Sequence, residues 1–246
     1  MLTKFFNLEK HLKEEHRMTP LSTYLKEVVY GGTDGIVTTF SVVAGFTGAQ
    51  QNTIGILPLA TVLLFGFANL FGDGVSMALG NFLSSRSEQD VYHKFKTKER
   101  EEIRKNPEIE RAESIEILIR RGFNTKQAEK LVDLMSQNEN YFLDFMMHDE
   151  LQLPNTENDK THLMVLATFA AFISFGLIPL LPYIFFKNDP DLFLFSVLTT
   201  GLALVLLGFL RYYVTGYRWM KSVLETLFLG SAAAVVSYFV GTLFRI

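Results

Sequence analysis

The chain has no cysteine, one tryptophan and five histidines among 246 residues. The missing cysteine excludes disulfides and thiolate metal sites and leaves the redox compartment open. Charge is also scarce, except in one place. Of 23 Lys+Arg and 26 Asp+Glu, 13 and 17 fall within residues 85–160. The rest is nearly free of charge, the pattern of a membrane protein rather than a globular one. No basic stripe accompanies the net charge of -3, which argues against a nucleic-acid partner. Residues 1–17 alternate charged and apolar side chains without an apolar core, so no cleavable signal peptide is read there. His11, Glu14, Glu15 and His16 in that stretch fit an exposed amphipathic helix.

What the chain has in plenty is apolar: 48% hydrophobic residues, including 23 phenylalanines. Five runs, 28–49, 54–83, 162–186, 192–214 and 222–244, approach or exceed the roughly 20 residues that cross about 30 Å of hydrocarbon. Pro58, Pro179 and Pro182 are expected to bend or end their helices. With the N-terminus inside, the inner segments hold 21 Lys+Arg and the outer ones only 2, Lys187 and Arg245. That asymmetry places the N-terminus in the cytoplasm and the C-terminus on the opposite side. Tyr212, Tyr213, Tyr217 and Trp219 at the fourth connection read as an interfacial belt. Small residues recur every four positions: Gly31 and Gly35; Gly72, Ser76 and Gly80; Ala233, Ser237 and Gly241. Such spacing lets helices approach closely, either within one chain or across a homodimer.

Two of the runs carry acids. Asp34 lies about six residues into the first, or roughly 9 Å deep. A carboxyl in hydrocarbon costs about 2.5 kcal/mol or more, so it usually marks an ion path or a proton relay. The second run goes the opposite way, which puts Met77 and Asp73 roughly 9 to 15 Å from the same face. A hard oxygen beside a soft sulfur suits a first-row transition metal better than Mg²⁺ or Ca²⁺. Asn69, two turns outward of Met77, adds a carbonyl oxygen. The plainer alternative has Asp34 capping a helix or pairing with a cation while Met77 fills space.

The insert reads as helices: 88–105 continuing the second run, a break at Asn106-Pro107, then 108–121 closed by Gly122. Thr125 is expected to cap a helix over 126–136, and Asn140 one running through Met147 to Glu150. Glu99 and Glu102 are spaced i,i+3, as are Glu110 and Glu113, so each pair shares a helix face. The Asn106-Pro107 break lets the two faces meet. Met146, Met147 and Glu150 sit on the later helix. Glutamates projecting inward from facing helices are the ligand arrangement of di-iron bundles; a solvated acidic face is the plainer reading.

In their order, these residues resemble the vacuolar iron transporters and their yeast and bacterial relatives. The resemblance rests on Asp34-Gly35-Ile36-Val37-Thr38-Thr39-Phe40 with Val43-Ala44-Gly45, and on Ser76-Met77-Ala78-Leu79-Gly80. It extends to Ser87-Glu88, Glu99-Arg100-Glu101-Glu102-Ile103, Glu110-Arg111-Ala112-Glu113, and Leu143-Asp144-Phe145-Met146-Met147 with Glu150. It implies five membrane helices, a homodimer, and a path lined by Asp34 and Met77. It also implies a cytoplasmic module that gathers metal through Glu99, Glu102, Glu110, Glu113, Met146, Met147 and Glu150. Proton exchange is the family's usual energy source. The chain departs at Asn69, where well-studied members have a glutamate; Asp73, one turn nearer Met77, is the candidate replacement.

The expected fold is an all-α membrane protein: five transmembrane helices, with a cytoplasmic helical metal-binding module between helices 2 and 3. Its parts are a cytoplasmic N-terminal segment (1–27), helices 1 and 2 (28–84), the module (85–160) and helices 3–5 (161–246). The expected function is export of a divalent metal, Fe²⁺ first and Mn²⁺ next, from the cytoplasm by proton antiport. No permanently bound cofactor is expected; Fe²⁺, Mn²⁺ or Zn²⁺ is the substrate, and lipid, protons and a second copy of the chain are the partners. The membrane is the plasma membrane in a prokaryote and the vacuolar one in a eukaryote. A membrane-tethered di-iron ferroxidase or iron store is a rival reading, and a metal-gated channel or sensor is another.

Overall fold

The computed structural model describes residues 20–49, 59–157, 160–186 and 189–244. His11, Glu14, Glu15, His16, Pro58, Lys187 and Arg245 lie outside the described residues, as do Lys4, Lys10, Lys13 and Arg17 of the orientation argument. Every regular element among the described residues is helical. The chain divides into two compact units, one from Phe82 to Thr161 and one made of the residues on either side.

In the flanking unit, α1 spans Leu25–Ala49, and α2 spans Leu59–Lys105 and carries on into the insert. Four stretches are long and apolar enough to cross a membrane: within α2, Thr161–Phe185, Leu192–Thr215 and Trp219–Leu243. Helix α1 has the length but not the hydropathy, because it holds five glycines, four threonines, Ser41 and Asp34. It is instead the helix the others surround. Gly31 and Gly35 let it lie against the backbone of Thr168 and Phe172 so closely that a β-carbon at either would overlap a carbonyl oxygen. Near its other end, a β-carbon on Gly48 would overlap the Tyr238 carbonyl oxygen, and one on Gly241 of the last helix would overlap that of Gly45. Two of the three small-residue pairs are therefore used inside the chain. The third, on α2, is not: Gly72, Ser76 and Gly80 are exposed, and a β-carbon on Gly72 or Gly80 would meet nothing.

The third stretch is broken as its prolines require. Helix α6 spans Thr161–Gly176, a 3-10 turn Ile178–Leu180, and α7 Leu181–Phe185. Ser196 Oγ donates to the Pro179 carbonyl at 2.7 Å and ties the break to α8, Leu192–Thr215. Helix α9, Trp219–Leu243, packs along α1 and α8.

In the insert, α3 runs Pro107–Arg120, α4 Thr125–Met135 and α5 Glu139–Phe145, followed by a π turn at Met146–Glu150. Gly122 takes φ +102°, and Phe123 N–H donates back to Leu118 O, closing α3. Two caps differ from expectation. Asn124, not Thr125, caps α4, forming a capping box with Gln127. Asn138, not Asn140, caps α5 by accepting from Tyr141 N–H. In both places an asparagine upstream of the expected cap accepts the orphan amide hydrogen, which is the office of an N-cap. The final turn is π rather than α, with Leu151 N–H reaching Met146 O at 3.2 Å.

Candidate metal centre and membrane cavities

The one-residue break at Asn106 turns α3 back along the end of α2. Ile103 of α2 then joins the core of Leu118, Ala128, Val132, Phe142 and Met146. This brings Glu99 from α2, Glu110 from the first turn of α3 and Glu150 from the π turn together. One carboxylate oxygen of each lies within 4.8 Å of the others. Glu99 is 4% exposed and Glu110 5%. Glu99 Oε1, Glu110 Oε2 and Glu150 Oε2 are buried without a hydrogen-bond partner among the described residues. Buried polar atoms are nearly always satisfied. Three carboxyls this close, each with an orphan buried oxygen, call for a cation or for protons.

Without a cation the group must hold protons. Burial pushes the Glu99 carboxyl up to about 8, helped by its hydrogen bond to Glu110 and by the charges of Glu150, Glu110 and Glu102. Glu99 is then the donor and Glu110 the acceptor. Burial also raises Glu110, against the pull of that hydrogen bond, and Glu150, which the charges of Glu113, Glu110 and Glu102 raise further.

The other residues expected at the centre are placed differently. Glu102 is half-buried and bound to Lys98 at 3.2 Å, and Glu113 is exposed; both act on the triad by charge. Met146 and Met147 are wholly buried, in two neighbouring apolar clusters. Ser114 Oγ donates to the Met146 sulfur at 3.1 Å, one turn along α3 from Glu110. The π turn is fastened from outside: Arg121, capping α3, holds Asp149 at 2.9 Å. Two residues beyond Glu150, Gln152 has φ 54°.

In the membrane unit, Asp34 is half-buried and lines a cavity of about 780 Å³ with Lys26, Tyr30, Thr33 and Arg211. No ion pair engages Asp34 among the described residues. Arg211 is held instead by Glu225 at 2.6 Å, with Lys221 at 3.9 Å from the same carboxylate. Asp73 and Asn69 line a second cleft, of about 720 Å³, with Thr38, Ser41 and Ser237. Asn69 donates its amide to Asp73 on the same face of α2. Asp34 and Asp73 lie within electrostatic reach of each other. Met77, half-buried on α2, lines neither space. Sequence reasoning missed Arg211 and Glu225, although an acid seven residues into the last helix was visible.

The model of the VIT family matches residues 25–242. The chain belongs to the VIT family. It is 31% identical to vacuolar iron transporter 1 of Arabidopsis thaliana over 214 residues, covering 87% of this chain and 83% of that one. It is 34% identical to a vacuolar iron transporter of Toxoplasma gondii over 243 residues, 95% and 78% of the two chains. A vacuolar iron transporter of Centaurea cyanus is 32% identical over 231 residues, 94% and 91%. These relatives are named as transporters and not as enzymes. Family and apolar helices together make this VIT chain an integral membrane protein.

Proposed function

We propose that this chain carries a divalent transition-metal ion, Fe²⁺ before Mn²⁺, out of the cytoplasm in exchange for protons. The observation that carries the reading is the buried carboxylate triad Glu99–Glu110–Glu150, with an unpartnered oxygen on each. A divalent ion would replace the proton shared there and satisfy all three oxygens. Glu102 and Glu113 would draw cations in. Met146 would add a soft ligand once the Ser114 hydroxyl turns away, and Met147 forms part of the wall. All-oxygen sites with an adjoining thioether accept several first-row ions, so moderate selectivity is expected.

Helix α1 is the fifth span in this reading, its 25 residues long enough to cross. The N-terminus and the insert are cytoplasmic, the C-terminus lies opposite, and the open stripe of Gly72, Ser76 and Gly80 is the homodimer face. Asp34 and Met77 pass the ion along, and Asp73, paired with Asn69, takes up the returning proton. Binding must stay weak and multi-site for the ion to leave. The iron lies within a vacuole-like store if the host is eukaryotic and outside the cell if it is not.

The test is Fe²⁺ uptake into proteoliposomes with a pH probe inside. Asp34→Asn is expected to lose uptake with assembly intact; undiminished uptake would remove Asp34 from the path. Uptake without any proton movement would favour a metal-gated channel. The ferroxidase alternative draws no support from the triad, which offers three carboxylates and no histidine.

A further inference from the structure

Arg211 poses a problem for a cation carrier. It lines the same cavity as Asp34, together with Lys26. Helices α1 and α8 touch at this level: a β-carbon on Gly32 would lie 3.3 Å from Leu207 Cδ1. Leu207 is one turn before Arg211, and Gly32 two residues before Asp34. Arginine has a long, flexible arm and a fork suited to carboxylates. Left free, it would settle on Asp34 and fill the place meant for the metal. In the structure it does not, because Glu225 of α9 takes its Nη1 at 2.6 Å.

We propose that Glu225 is a positioning residue that holds Arg211 off Asp34 and so keeps that carboxylate open to the cation. Glu225 has this role only if Asp34 receives the metal, as in the carrier reading. Its side chain is 40% exposed and that of Arg211 38%, so neither is locked in by packing. Among the described residues, the ion pair with Glu225, whose other oxygen faces Lys221, directs the guanidinium away. Removing Glu225 would make Arg211 an internal competitor. A self-occupied site weakens apparent affinity in proportion to the time it is occupied.

The experiment measures Mn²⁺ uptake, chosen for its stability in air, by the full-length protein in liposomes across metal concentrations. If Arg211 sits on Asp34 nine-tenths of the time in Glu225→Gln, the half-saturating concentration rises about tenfold. Arg211→Gln alone stays near wild type, since Lys221 still neutralises Glu225. The double variant Arg211→Gln/Glu225→Gln recovers the wild-type value, because the competitor is gone. Glu225→Asp, which keeps the charge and guards against a folding loss, also stays near wild type. Unchanged uptake in Glu225→Gln would overturn the proposal, as would a double variant no better than it; a merely structural pair gives that second result. Absence of uptake in the wild type itself would overturn the carrier reading and this role with it. Normal wild-type uptake with an unaffected Glu225→Gln would remove only this role.

Discussion

Replacing Glu99 by glutamine should make the metal-free protein more stable while abolishing its response to metal. The folded carboxyl keeps its proton up to about 8, against 4.5 for an ordinary glutamate. Between those values the folded state binds more protons than the unfolded one, so stability falls as pH rises. It is fully present below about 4.5 and the loss is complete above about 8. Linkage puts the penalty at about 1 kcal/mol at pH 5 and about 3 kcal/mol at pH 7. Coulomb's law gives a similar size: two charges 4.8 Å apart, the widest separation of the triad's facing oxygens, repel by about 3 kcal/mol at an effective dielectric constant of about 20. Glutamine keeps the shape and the hydrogen bond to Glu110 but has no proton to lose. Amide hydrogen exchange of α3 and the π turn, corrected for the intrinsic pH dependence, reads this local stability directly. Wild-type protection should fall steadily from pH 5 to pH 8 and that of Glu99→Gln should fall less, with Glu110 and Glu150 still raised by burial. Adding Mn²⁺ should then protect the wild type and leave the variant unmoved. A wild type whose protection is flat in pH would refute the buried-proton argument. Equal protection of both proteins by Mn²⁺ would refute the ligand role.

Arg121→Gln frees the outside of the π turn; as a half-exposed pair it is worth about 0.2–1 kcal/mol, so Mn²⁺ affinity by calorimetry should fall by up to about fivefold. Gln152→Val puts a β-branched residue at φ 54° and should cost about 1–2 kcal/mol in the same exchange experiment. Met146→Ala should cost about 2–5 kcal/mol through its cavity and Met146→Leu less than about 1.5 kcal/mol, so only the leucine variant gives a clean metal titration. Gly35→Ala drives a β-carbon into the Phe172 carbonyl and should lower the melting temperature in detergent by several degrees. Gly72→Ala meets nothing within the chain, so the monomer should be unaffected or stabilised by up to about 1 kcal/mol, while the proposed dimer should weaken in size-exclusion chromatography.

The insert was legible because its signals are local. The i,i+3 glutamates, the Asn106-Pro107 break and the glycine at 122 all report on a few neighbouring residues, and the helices stand near where they were expected. Their outcome was less legible. The pairs Glu99/Glu102 and Glu110/Glu113 do not meet as pairs. One member of each turns inward, and Glu150 completes the group because a π turn rotates it there. An α turn and a π turn have the same sequence signature, so this rotation lies beyond periodicity. The caps were missed for a related reason: Asn124 stands beside Thr125 and Asn138 two residues before Asn140, and which side chain accepts an amide depends on how the loop arrives.

In the membrane unit the sequence misled in an instructive way. An acid in an apolar run looked isolated because no cation adjoins it in α1. Yet Lys26 of α1 shares its cavity, and so does Arg211 on α8, about 180 residues later, which an acid on α9 already claims. Hydropathy likewise undervalues α1, the helix on which Asp34 sits. A helix facing lipid must be apolar, but one enclosed by its neighbours need not be. Glycines that let α6 and α9 close on α1, and threonines bonded to its own carbonyls, lower its hydropathy for the same reason that they let it sit at the centre. Thr38 gives its hydroxyl proton to Asp34 O, so even its polar side chains ask little of the surroundings. Thr39 Oγ1 lacks a partner as well, but Asp34 is the acid that lines the cavity holding Arg211. Its side chain finds no such local partner among the described residues, and it opens onto a cavity whose arginine is tied elsewhere. That unmet demand on an enclosed helix is what a passing cation would answer.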